Sequence, residues 1–81
     1  MSLTQTERDI LVDLVVFGHD KAENIANRIG RHRNTVSKYM RPLSEKGYLK
    51  GKGGGVYRPT DKGLETGQGM ILAGEIPYSD E

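Results

Sequence analysis

Arg31, Asn34, Lys38 and Arg41 recur at intervals of three and four residues, with Arg33, Thr35 and Ser37 among them. On a helix this spacing lines side chains along one face. Guanidinium, ammonium, carboxamide and hydroxyl groups on a single face suit phosphate oxygens and base edges, and a helix fits the major groove of a DNA duplex. The chemistry offered is recognition by charge-assisted hydrogen bonds, with no bond made or broken. An ordinary solvated helix also turns its charges outward, so this reading depends on what surrounds the run.

The element that must carry these groups is the stretch Arg31 to Leu49, which reads as one basic helix ending at Gly47 and running into a strand. With Val36 at the centre of the inward face, Met40 and Leu43 fall beside it. Arg31, Asn34, Lys38, Arg41 and Glu45 fall opposite, and Thr35 and Ser37 lie on the flanks. His32 points near the core side and is expected in a packed N-terminal role. Pro42 removes a bond to the Lys38 carbonyl and is expected to bend the helix. Upstream, Asp20-Lys21-Ala22-Glu23 has capping-box spacing, with Asp20 as N-cap of a helix to about Ile29 closed by Gly30. Two short helices joined at a glycine, the second one basic, form the pattern of a helix-turn-helix, and the small Ala26 allows them to cross closely.

A first helix opens with a second capping box, Thr4 to Glu7, and runs to about Phe17, with Gly18 as its stop. Leu3, Ile10, Leu14 and Phe17 form its inward stripe, joined by Leu11. Val12, Val15 and Val16 lie toward the other side and, if unburied, make a contact for a second copy of the chain. After the basic helix, Tyr48 to Lys50 and Val56 to Arg58 read as strands joined by Gly51 to Gly55, a hairpin with a flexible tip. Lys50, Lys52 and Arg58 of this hairpin, together with Arg31 and Arg33, are candidates for phosphate contact. Thr60 caps a last helix from Asp61 to about Ala73, weakened by Gly63, Gly67 and Gly69. The tail from Gly74 is expected to be loose.

Composition narrows the function classes. Eighty-one residues make one small domain, with core and hairpin at 4–59, a terminal helix at 60–73 and the tail at 74–81. The absence of cysteine excludes disulfides, thiolate metal sites and cysteine nucleophiles, and fits a cytoplasmic location. His19 and His32 lie on different elements, so no metal is expected. Asp9 and Asp13 read as helix-surface carboxylates with no second group for acid–base work, and neither an enzyme, a cofactor nor a small-molecule effector is indicated. Gly51 to Gly55 is no phosphate loop, because no Gly-Lys-Ser/Thr follows. The longest apolar run, Leu14 to Phe17, is far below the roughly 20 residues that cross a bilayer. Met1 to Leu3 can be read as a cloning scar, and Leu3 equally as a native, packed residue.

The net charge of +1 hides a segregation. Ten of the twelve basic residues lie between Arg28 and Lys62, where the only acids are Glu45 and Asp61. The remaining nine acids face only Arg8 and Lys21. A polyanion-binding face beside an acidic body is the simplest cause.

Helix, helix-turn-helix and basic hairpin, in that order, give a winged helix-turn-helix: α+β, mostly helical, with a three-helix core, a two-stranded wing and a C-terminal helix. The run His32-Arg33-Asn34 at the helix start, Gly55-Val56-Tyr57 in the wing, Thr60-Asp61-Lys62-Gly63 and Gly74-Glu75 resembles the small winged-helix repressors of halophilic archaea and their phages. The resemblance spans about Thr4 to Ile76 and implies a regulator that binds double-stranded DNA. The expectation is a homodimeric repressor occluding an inverted-repeat operator, with no effector domain after the wing. A winged helix serving only as a protein assembly module is the competing reading. It gives no reason for the charge segregation.

Overall fold

The computed structural model describes residues 3–78. Its elements are α1 (Gln5–Phe17), β1 (Asp20–Lys21), α2 (Ala22–Ile29), α3 (Arg33–Glu45), β2 (Leu49–Gly53), β3 (Val56–Pro59) and α4 (Asp61–Leu72). The expected α+β architecture is present, with one strand more than the sequence suggested. Met1 and Ser2 of the suspected scar, and residues 79–81 of the tail, lie outside the described residues.

Local chemistry starts α1 as expected. The Thr4 hydroxyl accepts from the Glu7 amide at 3.2 Å while the Glu7 carboxylate accepts from the Thr4 amide at 2.9 Å. The same carboxylate, buried, also accepts from Lys46 Nζ at 2.9 Å, which ties α1 to the end of α3. Burial raises the Glu7 pKa, but the bonds from Lys46 and the Thr4 backbone outweigh it and hold the group below its ordinary value.

The second helix starts differently. Its N-cap is Lys21, which has no side-chain capping bond, and Asp20 sits one residue earlier in β1. There the Asp20 carboxylate accepts from the Lys21 amide, Asn24 Nδ2 and Arg28. The short β1 pairs antiparallel with β3, Asp20 opposite Tyr57 and Lys21 opposite Val56, so the sheet is three-stranded in the order β1-β3-β2. The wing is thus anchored on the chain segment that leads into α2.

The core gathers Ile10, Leu11, Val12 and Leu14 of α1, Ile25, Ala26 and Ile29 of α2, and Val36, Met40 and Leu43 of α3, with Leu49 and Met70. Two expectations for α1 are corrected here. Val12 is buried inside the chain's own core, which removes it from any partner contact, and Val15 is half-buried against α4. Phe17, expected inward, is half exposed, with the Arg28 guanidinium stacked 4.0 Å above its ring. Val16 alone of the three valines stays exposed.

Asp13 is fully buried, not a surface carboxylate. Arg28 grips it through Nε and Nη2, the shortest contact being 2.7 Å, and reaches Asp20 through Nη1 at 2.9 Å. The Tyr78 hydroxyl donates to Asp13 at 2.8 Å, and burial together with that carboxylate raises the phenol pKa. Glu75 pairs with Arg8. The segment from Gly74 to Tyr78, expected to be loose, is therefore held at two points.

The glycines of α4 explain why a poor helix former is used. A Cβ at Gly63 would lie 2.0 Å from the Tyr48 carbonyl oxygen, and one at Gly67 would lie 2.4 Å from a Val15 methyl. The helix gives up propensity for close approach. Thr60 begins it, accepting from the Gly63 amide and donating to the Gly47 carbonyl at 2.6 Å.

Candidate nucleic-acid interface

Burial of Val36, Met40 and Leu43 fixes the rotation of α3. Asn34, Ser37, Lys38 and Arg41 are consequently exposed, and Thr35 is half-buried on the flank. The helix begins at Arg33, two residues later than the sequence suggested, and runs through Pro42 to Glu45. His32 is its N-cap: Nδ1 accepts from the Asn34 amide at 3.0 Å, and the ring is exposed, not packed. That bond satisfies one of the free amides at the helix start and holds the backbone of Asn34 in place.

Arg31 does not join this face. It lies in the turn before α3, with Nη2 2.8 Å from the Asp9 carboxylate, an ion pair with which its expected phosphate contact would have to compete. Gly30 makes that turn possible, sitting in the left-handed region at φ 71°.

The wing is tighter than a five-residue loop. β2 extends to Gly53, and only Gly54 and Gly55 turn the chain, both at positive φ as a type I′ turn requires. Lys52 lies at a bulge between Gly51 and Gly53, on the strand and not in a tip loop. Lys50 stands directly opposite Arg58, and both are exposed. Like charges facing each other across strands destabilise a hairpin, so this pairing favours nothing within the chain.

Ion pairing sorts the cations into two sets. Arg8, Arg28, Arg31 and Lys46 are held by Glu75, Asp13, Asp20, Asp9 and Glu7. Lys62 donates to the Lys46 carbonyl and covers the Tyr48 ring. Among the described residues, Lys21, Arg33, Lys38, Arg41, Lys50, Lys52, Arg58 and Lys62 make no ion pair. The acidic body therefore consumes its own share of the basic window and leaves free the cations of α3 and the wing.

Between them lies a concavity of about 440 Å³, bordered by Ser37 and Arg41 of α3, Gly54, Gly55 and Tyr57 of the wing, and Lys21. Sequence reasoning missed Lys21 and Tyr57. Lys21 lies outside the basic window of the sequence, and a two-residue strand leaves no periodicity to find. No group of acids and histidines able to hold a metal occurs among the described residues.

A helix-turn-helix with its second helix exposed and basic, flanked by a cationic hairpin, defines a winged helix-turn-helix protein. The chain belongs to the family described as sugar-specific transcriptional regulator TrmB, whose profile matches residues 1–62. That is a family of transcriptional regulators, not of enzymes. Among solved structures, the fold is similar to that of a mutant of ZitR from Lactococcus lactis, with a TM-score of 0.74 and 19% identity. The match covers 89% of this chain and 53% of that one, so the chain spans about half the length of this relative. No curated protein matches. No described helix is long and apolar enough to cross a membrane.

Proposed function

We propose that the chain binds double-stranded DNA sequence-specifically in the cytoplasm as the reading head of a transcriptional regulator. The observation that carries this is the distribution of cations without acidic partners, which follows α3 and the wing and includes Lys50 facing Arg58. In this reading Asn34, Thr35, Ser37, Lys38 and Arg41 face base edges, and Arg33, Lys50, Lys52 and Arg58 face phosphates. The resemblance to small repressors of halophilic archaea and their phages favours repression by occluding a promoter. Selection from random duplex pools followed by gel shift gives the operator. On it, Arg41→Ala or Asn34→Ala is expected to weaken binding by about 1–3 kcal/mol and relax selectivity at one base pair. Unchanged affinity and selectivity in both variants would refute the assignment of α3.

A homodimer on an inverted repeat belongs to the same proposal. With Val12 internal and Val15 half-buried against α4, the proposed seam uses exposed apolar side chains, Val16 of α1 and Leu64 and Leu72 of α4. Sedimentation at about 100 μM, far above the dissociation constant of a stable dimer, is expected to show a dimer that Val16→Glu with Leu72→Glu converts to a folded monomer. A wild-type monomer at that concentration ends this part of the proposal. The same exposed side chains favour the alternative of an assembly module, which predicts that no selected duplex is retained.

A further inference from the structure

The N-cap of α3 is an imidazole, where helices ordinarily place a hydroxyl, carboxylate or carboxamide. Its Nδ1 accepts from the Asn34 amide at 3.0 Å, so the ring is neutral and carries its proton on Nε2. Thr4 and Thr60 cap α1 and α4 with hydroxyls, which keep their lone pairs whatever the pH. An imidazole instead takes up a proton between about pH 5 and 8, at the nitrogen that lacks one. In His32 that nitrogen is the capping acceptor. The ring is exposed, makes no ion pair, and has the cap as its one side-chain hydrogen bond among the described residues. The charges around it are fixed elsewhere or positive. Asp9 of α1 holds Arg31, Asp13 and Asp20 hold Arg28 in the last turn of α2, and Arg33 has no acidic partner. Each of these carboxylates therefore has a partner already.

We propose that His32 is a proton-sensitive positioning residue, whose neutral ring holds the first turn of α3 in its reading conformation and whose protonated ring releases it. The proposal rests on the DNA-binding reading above. A proton on Nδ1 turns the acceptor into a donor, so the bond from the Asn34 amide breaks and that amide turns to water. The new charge also stands at the positive end of the helix dipole, between Arg31 and Arg33 in the chain, and both effects oppose an ordered turn. Asn34 is affected most, because it donates the capping bond and belongs to the base-facing set. Charge and selectivity then respond to acid in opposite directions. An added cation strengthens attraction to any duplex. A frayed first turn penalises only the duplex on which Asn34 has a base to read. The quantity that falls on acidification is thus the ratio of operator affinity to random-duplex affinity.

The test uses the whole chain, the selected operator and a random duplex, compared at about pH 8 and about pH 5.5, either side of the usual imidazole titration. The affinity ratio of the wild type is expected to fall about fivefold on acidification, the equilibrium worth of an ordinary N-cap. His32→Ser, which caps without titrating, should keep the full ratio at both pH values, and His32→Ala should show the low ratio at both. His19→Gln removes the other imidazole and should leave the wild-type profile unchanged. In the free chain, ring nitrogen NMR shifts should place the His32 proton on Nε2 at the higher pH. Protection of the Asn34 amide against exchange, corrected for the intrinsic rate, should fall on acidification in the wild type but not in His32→Ser. A proton on Nδ1 at the higher pH, a constant ratio in the wild type, or an equal fall in His32→Ser overturns the proposal. A duplex retained with a constant ratio refutes the switch alone. If the wild type retains no duplex at either pH, the DNA-binding reading itself fails, and the claim about selectivity falls with it.

Discussion

Asp13→Ala is expected to lower unfolding stability by about 3 kcal/mol, the lower end of what breaking a buried ion pair costs. The carboxylate is fully buried and accepts from Arg28 through two nitrogens and from the Tyr78 hydroxyl. Removing it leaves a guanidinium, one quarter exposed, without its main counter-charge. It also leaves a phenol without an acceptor. The lower end applies because Arg28 keeps Asp20 and the face of Phe17. The midpoint of urea unfolding reports the loss directly, and 3 kcal/mol is a large share of the 5–15 kcal/mol typical of a whole domain. Replacing both partners, Asp13→Leu with Arg28→Met, should recover most of the stability, because neither charge then has to be desolvated. A cost below about 1 kcal/mol for Asp13→Ala would show that the network is incidental.

Gly63→Ala is expected to be similarly damaging although alanine is the better helix former. The gain in helix propensity is about 1 kcal/mol. Against it stands a Cβ placed 2.0 Å from the Tyr48 carbonyl oxygen and 3.2 Å from the Pro59 ring. Neither neighbour is the free end of a flexible side chain, since both are held in the strands beside α4. Overpacking a rigid site costs about 1–3 kcal/mol and sometimes more, so a net loss near 2 kcal/mol, or about 10 °C in Tm, is expected for a domain this size. Gly69→Ala is the control. Nothing lies within 4 Å of its Cβ position, so the same substitution six residues later should raise stability by about 1 kcal/mol. Equal effects at the two positions would contradict the close approach of α4.

These two sites also mark where the sequence stopped being legible. What depends on neighbours in the chain could be read: the Thr4–Glu7 box, the inward face of α3 from Val36 to Leu43, and Thr60 at the head of α4 are found as expected. Asp13 could not be read, because its partner is fifteen residues away on another helix and a helical wheel treats every carboxylate as solvated. Arg31 joined the outward stripe on spacing alone, yet Asp9, twenty-two residues earlier, holds it in the structure. The cost of the α4 glycines is legible in the sequence, but the purpose of Gly63 and Gly67 lies in Tyr48 and Val15, which only the fold brings near. In the interface, the exposed residues of α3 followed from the buried ones. The position of Lys21 beside the wing depended on β1, a pairing of two residues that no periodicity announces.

That small strand has a mechanical consequence. Asp20 is paired into the wing sheet and is also held by Arg28, which grips α1 through Asp13. Hairpin and helices are thereby cross-braced, and the span between the groups on α3 and those on the wing is preset. A duplex engaged by both has to supply the adjustment itself, by bending or by changing groove width, at an energy that depends on the flexibility of the base steps between the two contacts. Under the proposed function, operators would then be ranked partly by base pairs that no side chain touches.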